Sequence, residues 1–134
     1  MTSTTDEAQI RALYAAYNDA IDAGKADDWA DTFVMDGVFR HPLRDWAGRA
    51  ELRQFVTERW EKIADGPIRE QRHWNDAVQL DVFGDTARGH CDLLVSGIDS
   101  SVSRAVVVAQ GRYSDRLVRT PLGWRFTERH LIVS

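Results

Sequence analysis

The spacing of apolar residues changes once along this chain, near Gly66-Pro67, and that change dictates the class of fold. Before it, Ile10, Leu13, Tyr14, Tyr17 and Ile21 share one helical face. Leu52, Phe55, Val56, Arg59 or Trp60, and Ile63 share another. After it the pattern becomes that of strands, over roughly 70–82, 85–97, 102–118 and 123–133. The separators are Phe83-Gly84-Asp85, Gly97-Ile98-Asp99-Ser100-Ser101 and Thr120-Pro121-Leu122-Gly123. Such short connections predict strands that pair antiparallel in sequence order. Helices first and a β-meander after them predict an α+β domain, with the helices covering one face of a curved sheet.

Punctuation sets the boundaries. Thr4-Thr5-Asp6-Glu7 reads as a capping box that opens the first helix, and Gly24 is a C′ residue that closes it near Asp22 or Ala23. A short second helix begins at Asp27 or Asp28, with Trp29 and Phe33 on one face. Asp36-Gly37 signals a turn, Val38-Phe39-Arg40-His41 a short strand ended by Pro42, and residues 44–48 a loop. No internal repeat or linker divides residues 1–134, so one domain is expected. Val78, Leu80 and Val82 alternate with Ala77, Gln79 and Asp81, while residues 105–109 are apolar throughout. A sheet apolar on both faces predicts a homodimer through the face that the helices leave open.

Composition removes several classes of function. A net charge of −4 argues against nucleic acid as a partner. No apolar run approaches the ~18 residues of a membrane span. The first residues carry neither a basic region nor an apolar run, so no signal peptide is expected and the address is cytoplasmic by default. Cys91 is the single cysteine, in an apolar-alternating stretch, and reads as a core residue. No HExxH, CxxC or phosphate-binding glycine loop occurs, so no metal or nucleotide cofactor is expected.

The order of elements and a set of landmarks resemble the NTF2-like superfamily, in particular its SnoaL-like members. The landmarks are Tyr17…Asp22-Ala-Gly24, Trp29…Phe33…Asp36-Gly37, Gly48, Arg72-His73, and Gly111-Arg-Tyr113…Asp115…Gly123-Trp124-Arg125. The resemblance covers almost the whole chain. It implies a cone-shaped α+β barrel, a bent and mostly antiparallel sheet wrapped by three N-terminal helices, with a deep pocket for a small molecule. Within the superfamily the chain most resembles the group of scytalone dehydratase, lindane dehydrochlorinase and the bile-acid dehydratase. That likeness implies a catalytic Asp22 and His73, and a Tyr17 that the bile-acid enzyme also uses. The second pocket histidine, the serine and the asparagine of scytalone dehydratase have no match here. The ketosteroid isomerases, another branch, carry an Asp-Pro where this chain has His41-Pro42, and their second acid falls near Gly111.

Pattern alone leaves both readings of these residues open. Asp22 and His73 fit a polar helix end and a strand histidine, or a dyad in which the carboxylate fixes the imidazole as general base. At ~100° per residue, Asp22 lies about 120° from the centre of the first helix's stripe, at its edge unless the last turn tightens. Tyr17 is on the stripe, as a core residue or a donor to a substrate oxygen, and Tyr14 competes with it. His41 is a strand end or a second acid/base, and Trp46 is the candidate for the pocket mouth. The resemblance implies a cofactor-independent lyase or dehydratase acting on a small cyclic or polyketide-like carbonyl compound. Two other readings remain: an isomerase or epoxide-hydrolase-like enzyme in the same pocket, and a non-catalytic binding or assembly subunit.

Overall fold

The computed structural model describes residues 4–133. Helices α1 (Thr4–Ala23) and α2 (Ala26–Ala30) lead into strand β1 (Phe33–Arg40), the short β2 (Asp45–Ala47) and helix α3 (Arg49–Asp65). Four long strands follow: β3 (Ile68–Phe83), β4 (Thr86–Asp99), β5 (Arg104–Thr120) and β6 (Gly123–Val133). They build one six-stranded sheet in the order β2-β1-β6-β5-β4-β3. Every pair is antiparallel except β1 with β6. The implied cone is present as a curved sheet, but the barrel is not closed, because β2 and β3 are its edges. The Thr4 side chain of the expected capping box lies outside the described residues.

Gly24 ends α1 as its sequence position predicts. Its φ of +69° is left-handed. Gly24 N–H donates to Ile21 O at 3.2 Å and Lys25 N–H to Ala20 O at 2.9 Å. This is the paired closure that satisfies two orphan carbonyls of the last turn. The i→i+3 bond tightens that turn and carries Asp22 with it. A side chain at residue 24 would put its Cβ 2.6 Å from the Trp60 indole, so α3 packs directly against this helix end.

The N-terminal third departs from the sequence reading in one place. α2 stops at Ala30, so Phe33 belongs to β1 and not to a helical face with Trp29. The two rings still meet at 5.1 Å, because Thr32 and Asp31 turn the chain back on itself. Asp36-Gly37 is not a turn but the irregular part of β1, where its register against β6 shifts. The expected loop at 44–48 contains β2, paired with β1.

Two irregularities bend β3. Its register against β4 shifts between Arg69 and Arg72 and between Asp76 and Gln79, and Glu70 and Ala77 take positive φ. Such bulges increase local twist and curl an edge strand. Between them His73 and Asn75 face inward, opposite Val95 and Leu93. The outer sheet face is divided. Trp74, Leu94, Ile98 and Val107 are exposed at one end, and Arg88, Asp92, Arg112 and Arg116 occupy the other, with Ile132 opposite Arg112. The apolar stretch at 105–109 therefore marks one end of that face, not all of it.

Candidate active site

The inner pocket of about 140 Å³ lies between α1, α3 and the concave sheet. Its wall includes Tyr17, His41, Arg59, His73 and Tyr113 among apolar side chains such as Phe55 and Leu93. An outer pocket of about 410 Å³ opens beyond it, with Trp46, Glu58 and Lys62 in its wall. His41, Phe55 and Arg59 line both and form the neck.

Asp22 meets His73, which is in the inner pocket wall. His73 Nδ1 and Asp22 Oδ1 are 2.7 Å apart. The His73 backbone N–H donates to both carboxylate oxygens at 3.1 Å. An edge strand has outward-pointing N–H groups, and the tightened end of α1 brings a carboxylate to one of them. The Asp22 carboxylate is an acceptor, so Nδ1 carries the proton and Nε2 keeps a free lone pair. Burial lowers the His73 pKa below its usual value; the Asp22 hydrogen bond opposes this and the Arg59 charge adds to it. The ring is therefore neutral at neutral pH and presents one acceptor nitrogen.

His41 has the opposite arrangement. Its Nδ1 accepts the Leu43 N–H at 3.2 Å. In the neutral ring Nε2 then holds the proton and is a donor. Burial, with Lys62 second, lowers its pKa too.

Tyr17 and Tyr113 place their hydroxyls 3.4 Å apart on the inner pocket wall. Burial raises both pKa values, Tyr113 strongly, so both are neutral donors. Beneath them lies a sealed cluster. Arg129 is 0% exposed and donates from Nε to Asp115 Oδ1 at 3.0 Å. Its guanidinium packs on the rings of Tyr113 at 3.6 Å and Tyr17 at 4.3 Å. Burial opposes its charge, but Asp115 and the facing tyrosines raise its pKa. Tyr14 donates to Asp115 Oδ2 at 2.5 Å. The Tyr14 hydroxyl is thus held in the core and is not in the inner pocket wall. Cys91 contributes to the same cluster, 3.6 Å from Arg129 Nη2, and burial pushes its thiol up to about 11.

The structure brings Tyr17, His41 and His73 to the inner pocket wall, joins Asp22 to His73, and sets Trp46 at the outer pocket. Sequence reasoning missed Arg59, Gln71 and Tyr113 in the wall. Arg59 was visible only as an ambiguous member of the α3 stripe; a cation at such a position was the available signal. Gly111 has no room for an acid: an added Cβ would stand 2.3 Å from Ile132 O. Among the described residues, no group of three or more His, Cys, Asp or Glu side chains is placed to hold a metal ion. No helix is long and apolar enough to cross a membrane.

A helical wrap on a curved sheet, with polar groups converging inside, is the architecture of the NTF2-like proteins. The SnoaL-like domain profile matches residues 2–130, and the chain belongs to that family. No curated protein matches it. Among solved structures it is similar to an NTF2-like protein with a cystatin-like fold from Novosphingobium aromaticivorans, at 25% identity and a TM-score of 0.84, over 96% of this chain and 82% of that one. It is similar to ActVI-ORFA of Streptomyces coelicolor, at 25% identity and a TM-score of 0.83, over 96% and 97% of the two chains. A Catenulispora acidiphila protein in complex with S-DNPA is 27% identical, with a TM-score of 0.81, over 96% and 95%.

Proposed function

We propose that this chain is a cofactor-independent lyase of the dehydratase type, acting on a small cyclic or polyketide-like β-hydroxy carbonyl compound. The observation that carries the proposal is the Asp22–His73 contact of 2.7 Å at Nδ1, which leaves Nε2 as the acceptor of a ring that lines the inner pocket. His73 Nε2 removes the proton next to the carbonyl. The C–H electron pair becomes an enolate, whose oxygen accepts hydrogen bonds from Tyr17 or Tyr113. The enolate expels the β-hydroxyl, which takes the proton back from the imidazolium and leaves as water. Asp22 holds the ring's orientation and stabilises its charged form.

The tautomers separate this from the isomerase reading. His41 also lines the pocket, but its Nδ1 already accepts a backbone N–H, which makes Nε2 a donor at neutral pH. Gly111, where the isomerases' second acid falls, has no room for one. The expected homodimer belongs to the same proposal, through the apolar end of the outer face around Trp74, Leu94 and Val107.

The test uses a panel of cyclic β-hydroxy ketones, followed by the absorbance of the conjugated enone product. Turnover by the native chain should vanish in His73→Ala and Asp22→Ala, with the fold retained. Full activity in both variants would refute the mechanism.

A further inference from the structure

The proposed elimination makes no use of Arg59, although this side chain lines the whole route from the mouth to His73. Arg59 is on α3, half-buried, at the neck shared by the two pockets. Its Nη2 donates to the neutral amide oxygen of Gln71 at 3.1 Å. Among the described residues it has no carboxylate partner. Arg49, Arg119 and Arg129 by contrast sit on Asp31, Asp6 and Asp115 at 2.5, 2.8 and 3.0 Å, while Arg11, Arg69 and Arg125 donate to backbone carbonyls away from this pocket. A guanidinium has five donors in a planar fork, and most of this one's fork is uncommitted. Taking such a charge out of water without a directly bonded partner is costly; burial lowers the Arg59 pKa, and the Asp22 charge opposes this without reversing it.

The surroundings of the outer pocket favour an anion. Arg44 is neutralised by Glu51 at 3.1 Å. The outer pocket wall carries Arg44, Arg59 and Lys62 with Glu58, and Glu51 pairs with Arg44, so positive charge exceeds negative by one at the mouth of a chain whose net charge is −4; the Asp22 charge acts on Arg59 as well. The excess is therefore local to the pocket mouth and not a property of the whole surface. A local field of that sign raises the concentration of an anionic ligand at the entrance.

We propose that the substrate carries a carboxylate and that Arg59 binds it as a bidentate pair at the pocket neck. The ring system then occupies the inner pocket, and the carboxylate remains on the Arg59 side of it. The inner volume of about 140 Å³ restricts that ring system to a small one. The inference rests on the elimination reading only for the placement of the reacting carbon against His73; recognition of the anion is independent of it.

2-Naphthoic acid and 2-naphthamide share a shape and differ in charge. Titrated calorimetrically into the full chain at neutral pH and low salt, the acid should bind tighter by about tenfold or more. Added salt should weaken the acid and leave the amide unchanged. Arg59→Gln should bring the acid down to the amide's affinity, and Arg59→Lys should keep part of the preference. His73→Ala, which removes the proposed base, should keep the preference whole, so its loss of turnover bears on the elimination and not on the anion site. The native comparison requires no variant to fold. Equal affinities for acid and amide, failure of the acid to bind, or a preference that survives Arg59→Gln overturns the proposal.

Discussion

Two aspartates of this protein each hold a basic side chain, and only one of the two pairs borders a cavity. Asp115 and Arg129 are both 0% exposed. Both Asp115 oxygens are engaged, by Arg129 and by Tyr14, and aromatic rings cover the guanidinium. Asp22 and His73 are 20% and 8% exposed, and the imidazole lines a cavity with its second nitrogen uncommitted. A buried charged pair is therefore not by itself a site. Chemistry needs an acid–base atom that the pair leaves unsatisfied and that a substrate can reach.

The sealed cluster should dominate stability. Asp115→Ala leaves Arg129 charged and alone, which costs on the order of 3–5 kcal/mol. Denaturant unfolding followed by tryptophan fluorescence measures it, and a loss below about 1 kcal/mol would mean that the two regions do not differ in this way. The open pair should dominate activity instead. His73→Ala should reduce turnover by about 10²–10⁴-fold while costing only about 1 kcal/mol of stability. Tyr17→Phe keeps the ring over Arg129 and removes one donor. It should lower kcat by about 10², with little change in melting temperature. The smallest effect on activity is expected at Gly24→Ala, which strains a left-handed position and presses on Trp60. About 1–2 kcal/mol should be lost, with some activity, because Asp22 shifts with the helix end.

The legible part of the fold was the part written in periodicity. The four long strands lie within a few residues of their expected spans, since strand alternation and glycine-rich turns are local signals. Phe33 was misread because Trp29 and Phe33 have helical spacing, yet a five-residue helix ends before the second of them. β2 was missed because a three-residue strand carries no periodic signal. Asp22 and His73 were legible through their resemblance to known enzymes, and the hydrogen bonds between them are distances that no sequence spacing encodes. The tightened end of α1 answers why an aspartate at the edge of the helical stripe can reach inward. Arg59, Gln71 and Tyr113 stayed hidden because the bulges in β3 and the packing of α3 on α1 decide which side chains converge.

The ionisation of His73 provides a sign that can be checked. Its folded pKa is lowered from the ordinary value of 6.5. In the proposed mechanism the neutral ring is the active form, so kcat/KM should be constant at neutral pH and fall only as pH drops through the lowered pKa.

Nitrogen NMR of the His73 ring at neutral pH tests the central assignment without any substrate. The expected result is a neutral imidazole with its proton on Nδ1 and an unprotonated Nε2. An Nε2-protonated tautomer, or an imidazolium at neutral pH, contradicts the assignment of His73 as the base.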